Sequence, residues 1–155
     1  MSTPRRSAGL LLHRRTEHGV EVLLGHMGGP FFAHRDAGAW SVPKGEYEPD
    51  EPAWEAARRE FQEELGVAPP DRDGVPLGEV RQANGKLVTA WAVEADLDPA
   101  TVVPGTFWMA WPPRSGQVQE FPELDRVEWF PVERARAVIV PAQAEFLDRL
   151  LEHSN

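Results

Sequence analysis

The chain has 155 residues, 26% of them charged, with a formal net charge of −9 and no cysteine. The lack of cysteine excludes disulfides, thiolate metal sites and cysteine nucleophiles, and the acidic charge argues against a nucleic-acid-binding surface. The length suits one domain over residues 1–155, and because no apolar run reaches the roughly 18 residues of a membrane span, a cytoplasmic location away from membranes is expected.

The first part of the chain is predicted to form strands. Residues 7–13 and 20–27 are apolar runs joined by a polar loop that ends in glycine, a pattern typical of a hairpin. A structured loop rich in glycine and proline follows over residues 28–38. Residues 39–43 then form a short strand that stops at a proline.

A helix comes next, and its ends are marked by residues with strong positional preferences. Asp50 is predicted as the N-cap, with Pro52 in the first turn and Gly66 just past the end. At about 100° per residue, four apolar side chains form a stripe facing the core. They are Trp54, Ala57, Phe61 and Leu65.

The rest of the chain is predicted to contain more strands and a closing amphipathic helix. The strands are 76–82, 86–96, 106–111 and 126–132, and the helix is 141–153. The pair Asn84-Gly85 favours a tight turn between the first two strands. The order predicts an α+β or α/β sandwich with a mixed sheet.

Three carboxylates stand out on the central helix. Glu60, Glu63 and Glu64 occupy positions i, i+3 and i+4, where like charges destabilise a helix by a few tenths of a kcal/mol per pair. Oxygen ligands on one rigid face suit a hard cation such as Mg²⁺. The histidines show no ligand spacing, which disfavours zinc. The alternative is a solvated acidic helix face.

Residues 45–67, GEYEPDEPAWEAARREFQEELGV, resemble the Nudix box, G-x5-E-x7-R-E-U-x-E-E-x-G-U, where U is a bulky apolar residue. All nine defined positions match. They are Gly45, Glu51, Arg59, Glu60, Phe61, Glu63, Glu64, Gly66 and Val67. The chain therefore resembles the Nudix hydrolases, a family that includes the MutT-like pyrophosphohydrolases.

The resemblance implies a Nudix-type α-β-α sandwich with a mixed sheet, a box helix and a C-terminal helix. It implies cleavage of a pyrophosphate bond with Mg²⁺, for which Mn²⁺ can substitute. The implied metal ligands are the carboxylates of Glu60, Glu63 and Glu64 and the backbone carbonyl of Lys44. Arg59 would orient Glu60 through a charge-assisted hydrogen bond.

Other box residues are implied to have structural roles. Gly45 and Gly66 would let the loop–helix–loop unit close tightly, and Glu51 would make a structural or minor metal contact. The catalytic base is left open between a box glutamate such as Glu60 and the later loop residue Glu123. Two further candidates are Glu120 and Asp125. The alternative for Glu123 is an ordinary exposed loop acid.

The substrate is predicted less closely. Lys44 and Arg35 are candidates to contact phosphates, and Phe31 and Phe32 to stack on a base. Two tryptophans in predicted strands, Trp40 and Trp108, are expected to lie in the core.

The Pro-Lys-Gly before the box is more typical of dinucleoside-polyphosphate hydrolases than of nucleotide-pool sanitisers. Residues 80–86 lack the tyrosine and the proline that mark two known branches, which weakens both assignments. A dinucleoside polyphosphate or a (deoxy)nucleoside triphosphate is the favoured substrate. The alternative is a catalytically silent nucleotide-binding or regulatory module. The resemblance also implies that the chain can form a homodimer.

Overall fold

The computed structural model describes residues 4–153. The strands are β1 (Arg6–Thr16), β2 (Gly19–Met27), β3 (Trp40–Ser41), β4 (Lys44–Glu46), β5 (Val75–Arg81), β6 (Leu87–Glu94), β7 (Thr106–Ala110), β8 (Val118–Pro122) and β9 (Leu124–Pro131). The helices are α1 (Ala53–Leu65), α2 (Val132–Val138) and α3 (Ala144–His153). Short 3₁₀ turns cover Pro99–Thr101 and Pro141–Gln143.

Within residues 4–153, seven strands form one mixed sheet. Its order is β3-β2-β1-β6-β5, and β4 and β9 pair with β1 and β2 respectively. β1 runs parallel to β6, whereas the other pairs of this sheet are antiparallel. β7 and β8 form a separate antiparallel ribbon. The predicted mixed sheet is confirmed.

Each face of the sheet is covered by helices. Because successive side chains of a strand point to opposite faces, β1 contributes to both hydrophobic layers. On β1, Leu10 and Leu12 pack with Phe61 of α1, whereas Leu11 packs with Phe146 of α3. The middle of the strand is therefore apolar on both faces, and its sequence there is a continuous apolar run. The predicted α-β-α sandwich is confirmed.

The start of α1 differs from the prediction. The N-cap is Pro52, whose ψ of 136° is extended, and not Asp50. A proline disfavours helical backbone at the residue before it, so Glu51 cannot open the helix. The helix end is as predicted, since Gly66 adopts a left-handed φ of 67° and its N–H bonds the Gln62 carbonyl at 2.8 Å.

Three other predicted boundaries, all at glycine or proline residues, can be compared with the structure. The Asn84-Gly85 turn is confirmed, with the Gln82 N–H bonded to the Lys86 carbonyl at 2.9 Å. The predicted strand at 39–43 is shorter, since β3 covers only Trp40–Ser41, and β4 begins after Pro43. The C-terminal helix begins as a 3₁₀ turn at its proline.

Two strands and one helix were missed, β4, β8 and α2. The apolar residues of α2, Val132, Ala135 and Val138, recur every three positions, which is a helical spacing. No described helix is long and apolar enough to cross a membrane.

Candidate active site

The strand before the box helix is held close to β1. Gly45 pairs with Ala8, and Lys44 pairs with Gly9. A Cβ on Gly9 would lie 2.3 Å from the carbonyl oxygen of Pro43, so only glycine fits there. This contact places Lys44 and Gly45 beside the acidic face of α1. Sequence reasoning missed Gly9, because the approach involves distant residues.

Glu60 occupies the space that a side chain on Gly45 would fill. A Cβ built on Gly45 would lie 1.8 Å from Oε2 of Glu60. The carboxyl group is therefore pressed against the backbone of β4, and only 12% of the Glu60 side chain is exposed. Burial raises the pKa of Glu60, although the hydrogen bond from Arg59 acts in the opposite direction.

Arg59 holds three carboxylates. Its Nε and Nη2 donate to the two oxygens of Glu51, both at 2.8 Å. Its Nη1 donates to Glu60 at 2.8 Å and to Glu63 at 3.1 Å. The hydrogen bond from Arg59 lowers the pKa of Glu51, and the carboxylates together raise the pKa of Arg59. The planar fork suits this shared arrangement better than a lysine ammonium.

Glu64 is the most deeply buried of the box carboxylates. It accepts a 3.0 Å hydrogen bond from the backbone N–H of Lys44. Burial, with a smaller contribution from the negative charge of Glu123, raises the pKa of Glu64 to about 8. Burial also lowers the pKa of Lys44, and the nearby positive charge of Lys86 adds to that effect. A lysine and a carboxyl group are thus desolvated side by side.

Glu123 reaches this group through a series of backbone hydrogen bonds. The N–H of Gly105 bonds the carbonyl of Glu64 at 3.2 Å, and the N–H of Glu123 bonds the carbonyl of Gly105 at 2.7 Å. The N–H of Gly28 then bonds the carbonyl of Glu123 at 3.0 Å. The loop acid is therefore connected both to the end of α1 and to the loop after β2.

Gly105 is essential to this connection, and sequence reasoning missed it. A Cβ at this position would lie 2.5 Å from the carbonyl oxygen of Glu63 and 3.8 Å from the side chain of Glu123. The available signal was the Pro-Gly pair at residues 104–105, which marks a turn but not its partner.

The electrostatic surroundings of Glu123 differ from those of the two other loop acids. Burial and the negative charge of Glu63 raise the pKa of Glu123, while Lys44 lowers it. Glu120 instead accepts a 2.6 Å hydrogen bond from the hydroxyl of Thr106 in the ribbon. Asp125 faces His26. Of the three acids, Glu123 is therefore the one that belongs to the box carboxylate group.

The loop between β2 and β3 carries the predicted substrate contacts. Phe31 is 60% exposed and meets Trp111 edge to face at 5.5 Å. Phe32 is partly buried against the core, so its ring is less available than that of Phe31. Arg35 has an exposed side chain, and its carbonyl accepts a hydrogen bond from His26.

The two tryptophans expected in the core have different positions. Trp40 is 1% exposed, packs on Phe130 at 4.7 Å and donates its Nε1–H to Asp36, so that expectation is confirmed. Trp108 is 66% exposed, so its predicted burial was wrong. It lies on β7, which pairs with β8 in a two-stranded ribbon. The side chains of β7 alternate between partly buried and exposed, and Trp108 is on the exposed face.

The residues fit a hard divalent cation by their chemistry. Glu60, Glu63 and Glu64 supply carboxylate oxygens next to the backbone of Lys44, and none of these donors is nitrogen or sulfur. Within residues 4–153, however, no three acidic or histidine side chains already converge on one point. Arg59 instead neutralises Glu60 and Glu63. The three carboxylates lie on one face of α1, next to the backbone of Lys44.

Comparisons with known proteins agree with this fold. A family model described as the NUDIX domain matches residues 3–150. A C. elegans Ap4A hydrolase in a binary complex superposes with a TM-score of 0.67 at 22% identity, over 96% of this chain and 97% of that chain. The NUDIX domain of Shewanella oneidensis NrtR, complexed with ADP ribose, has a TM-score of 0.65 at 14% identity, over 100% of this chain and 91% of that chain.

A third similar structure is RenU, a Nudix hydrolase from M. smegmatis. It has a TM-score of 0.59 at 26% identity, over 99% of this chain and 88% of that chain. No curated protein matches the sequence significantly. The similarity therefore extends over nearly the whole length of these structures, at low sequence identity.

Proposed function

This chain belongs to the NUDIX domain family of hydrolases, and on that premise we propose that it hydrolyses a phosphoanhydride bond of a nucleoside polyphosphate with Mg²⁺, or with Mn²⁺ in its place. One observation carries the proposal. The carboxyl groups of Glu60, Glu64 and Glu123 are partly or fully desolvated together beside Lys44, and their pKa values are raised. Such clustering is characteristic of functional sites.

The box residues have complementary roles in this proposal. Glu60, Glu63, Glu64 and the carbonyl of Lys44 would hold the cation. When bound, a divalent cation neutralises phosphate charge and lowers the pKa of coordinated water. Arg59 keeps Glu60 oriented against Gly45 and compensates the repulsion between Glu60 and Glu63.

Glu123 is the proposed general base. Its pKa is raised by burial, which brings it closer to the pH at which a carboxylate is an efficient base. Its backbone is held at both sides, by Gly105 and by Gly28, so the carboxylate has a defined origin. Glu60 is less suited to this role, because it is bound to Arg59 and pressed on Gly45.

The proposed substrate is a dinucleoside polyphosphate or a (deoxy)nucleoside triphosphate. Lys44 and Arg35 would contact phosphates, and the exposed ring of Phe31 would stack on a base; for Phe32 this role stays a prediction. The Pro-Lys-Gly before the box and the similarity to an Ap4A hydrolase both support a dinucleoside polyphosphate.

A second candidate function is nucleotide binding without hydrolysis. The similar structures include the NUDIX domain of NrtR, complexed with ADP ribose, and the C-terminal domain of mouse MUTYH. Against this candidate, every defined carboxylate of the box is present in this chain. Turnover distinguishes the two functions.

The test is Mg²⁺-dependent turnover of a small substrate panel by the purified protein. The panel contains diadenosine tetraphosphate, damaged and normal deoxynucleoside triphosphates, ADP-ribose and NADH, and Mn²⁺ is tried in parallel. A Glu63→Gln, Glu64→Gln double variant is measured beside the wild type. Turnover that the double variant abolishes supports the proposal and identifies the substrate class. Nucleotide binding without turnover of any compound supports the second candidate.

Two further properties predicted from the sequence stay predictions. They are a cytoplasmic location and the ability to form a homodimer. Light scattering coupled to size-exclusion chromatography measures the oligomeric state.

A further inference from the structure

His26 is a fully buried histidine with a hydrogen-bond partner at each ring nitrogen. Its Nε2 lies 2.7 Å from the carbonyl oxygen of Arg35, and its Nδ1 lies 2.8 Å from a carboxylate oxygen of Asp125. A carbonyl oxygen only accepts, so Nε2–H must donate to Arg35. The ring therefore bridges this backbone carbonyl and the carboxyl group of Asp125.

Asp125 is aimed at His26 by an irregularity in the sheet. On β9, Arg126 pairs with His26 and Leu124 pairs with Met27, so Asp125 is the extra residue of a β-bulge. Bulges re-aim side chains and are frequent next to active sites. This bulge lies two residues after Glu123, the proposed base.

His26 lies next to the last residue of β2. The loop that follows contains Phe31 and Arg35, and its first N–H, that of Gly28, bonds the Glu123 carbonyl at 3.0 Å. The ring of His26 thus links the loop between β2 and β3, through Arg35, to β9, the strand that begins directly after Glu123, through Asp125. It closes a second connection beside the Gly28–Glu123 bond.

The other charged groups near the ring have partners of their own. Trp40 of β3 meets the ring edge to face at 5.1 Å, and its indole is bound to Asp36, which also pairs with Arg134. Arg126 of β9 has its Nε 3.7 Å from Asp125 and its guanidinium over Trp40. Asp125 therefore has a longer contact with Arg126, and its shorter contact is with His26.

We propose that the His26–Asp125 pair is a positioning pair, which fixes β9, the strand that begins directly after Glu123, and the loop of Phe31 and Arg35 relative to each other. Neither residue contacts the box carboxylates. The consequence for turnover rests on the proposed function, whereas the ring hydrogen bonds and the backbone geometry do not. The pair acts through Glu123, so its loss should affect kcat more than KM.

The first experiment measures the ring ¹⁵N chemical shifts of His26 in the full chain. We expect a protonated Nε2, bonded to the Arg35 carbonyl, in the wild type and in an Asp125→Asn variant, whose side-chain amide can still bond Nδ1. An Nε2 without a proton in the wild type overturns the proposal, whatever the protein hydrolyses.

The second experiment compares Asp125→Ala with Asp125→Asn and with Glu128→Gln, an exposed acid on the same strand. We expect faster hydrogen exchange at the Gly28 amide in Asp125→Ala alone. With the substrate identified by the panel, kcat of Asp125→Ala should fall about 10- to 100-fold, with a smaller change in KM, because small misplacements of a catalytic group cost this much. Asp125→Asn should restore both readouts.

The outcomes separate this proposal from the proposed function. Unchanged Gly28 exchange and unchanged kcat in a folded Asp125→Ala variant overturn the positioning role, as does an equal loss in the Asn and Ala variants. If the wild type turns over no compound, the ring shifts and the Gly28 exchange still decide the proposal.

Discussion

The backbone N–H of Lys44 donates a 3.0 Å hydrogen bond to the carboxyl group of Glu64, which links the strand before the box to the last turn of α1. This one bond does not offset the cost of burying the charge, since the pKa of Glu64 is raised to about 8. The site is therefore electrostatically strained around Glu64, and a bound cation would relieve that strain.

The first prediction concerns stability and pH without divalent cations. The folded state binds the Glu64 proton more tightly than the unfolded chain does, because the folded pKa lies above the ordinary value of 4.5. The contribution of Glu64 to stability is thus fully present below that ordinary value and is lost as the pH rises through about 8. Thermal unfolding in EDTA should show a falling Tm over this range.

A Glu64→Gln variant should have a flatter Tm profile and should be more stable than the wild type near the upper end of that range, by about 4 °C or more. Glu55→Gln, an exposed acid on the same helix, is the matched control and should keep the wild-type profile. Burial of Lys44 lowers its pKa and has the opposite sign at more alkaline pH, so the comparison stops near pH 8. Parallel profiles for Glu64→Gln and wild type contradict the prediction.

The second prediction concerns Gly45. An alanine there would place its Cβ 1.8 Å from Oε2 of Glu60, so the carboxyl group must move. We expect Gly45→Ala to lower kcat by about 100-fold and to destabilise the fold by about 1–3 kcal/mol through overpacking. Denaturant unfolding and turnover assays measure the two effects.

A double-mutant cycle identifies the cause of the Gly45→Ala defect. Combined with Glu60→Ala, which removes the clashing carboxyl group, Gly45→Ala should cost much less stability than it does alone. Strict additivity of the two stability changes would show that the contact with Glu60 is not responsible.

The third prediction concerns Arg59. Arg59→Lys keeps the charge but loses the fork that binds Glu51 at both oxygens and reaches Glu60 and Glu63. We expect kcat to fall about 10- to 100-fold, because Glu60 loses its orientation. The measurement is steady-state kinetics on the substrate identified by the panel.

Arg58→Lys is the matched control for Arg59→Lys. Arg58 is the neighbouring arginine, and it donates to the carbonyl of Pro70 and lies over Trp54, away from the box carboxylates. It should retain nearly full kcat. Equal activity in the two variants would remove the special role of Arg59.

The fourth prediction compares the two loop glutamates. Glu123→Gln should lower kcat by about 10²- to 10⁴-fold, the usual contribution of a general base. Glu120→Gln should have little effect, because that carboxylate is bonded to the hydroxyl of Thr106 in the ribbon of β7 and β8. A pH–rate profile of both variants checks this, since only Glu123→Gln should remove the acidic limb that reports the base. Full activity of Glu123→Gln would transfer the role of base to another group.

Several features could be predicted from the sequence because they depend on local spacing. Glu60, Glu63 and Glu64 share a helix face since the helical period alone places residues three and four apart together. The turn at Asn84-Gly85 and the left-handed Gly66 follow from backbone preferences of single residues. The box helix and its acidic face therefore followed from the residues alone.

Two features were mispredicted, for different reasons. The start of α1 was misplaced by preferring Asp50, although the restriction imposed by Pro52 was available in the sequence. Trp108 was expected in the core because it lies in a predicted strand. In the two-stranded ribbon of β7 and β8, however, the side chains of β7 alternate between partly buried and exposed, and Trp108 is on the exposed face. Which face is covered depends on neighbouring elements and not on the pattern itself.

The sequence by itself determined the order of strands and helices and the acidic helix face through periodicity, and its match to the Nudix box indicated the family, the sandwich and the box residues, because all of these depend on patterns within short segments. Only the tertiary structure decided that Glu123, not Glu120 or Asp125, joins the box carboxylates, and that His26 meets Asp125. These contacts depend on strand register, a β-bulge and close backbone approaches at Gly28 and Gly105. Such long-range relations bring together residues whose spacing along the chain carries no signal of their proximity.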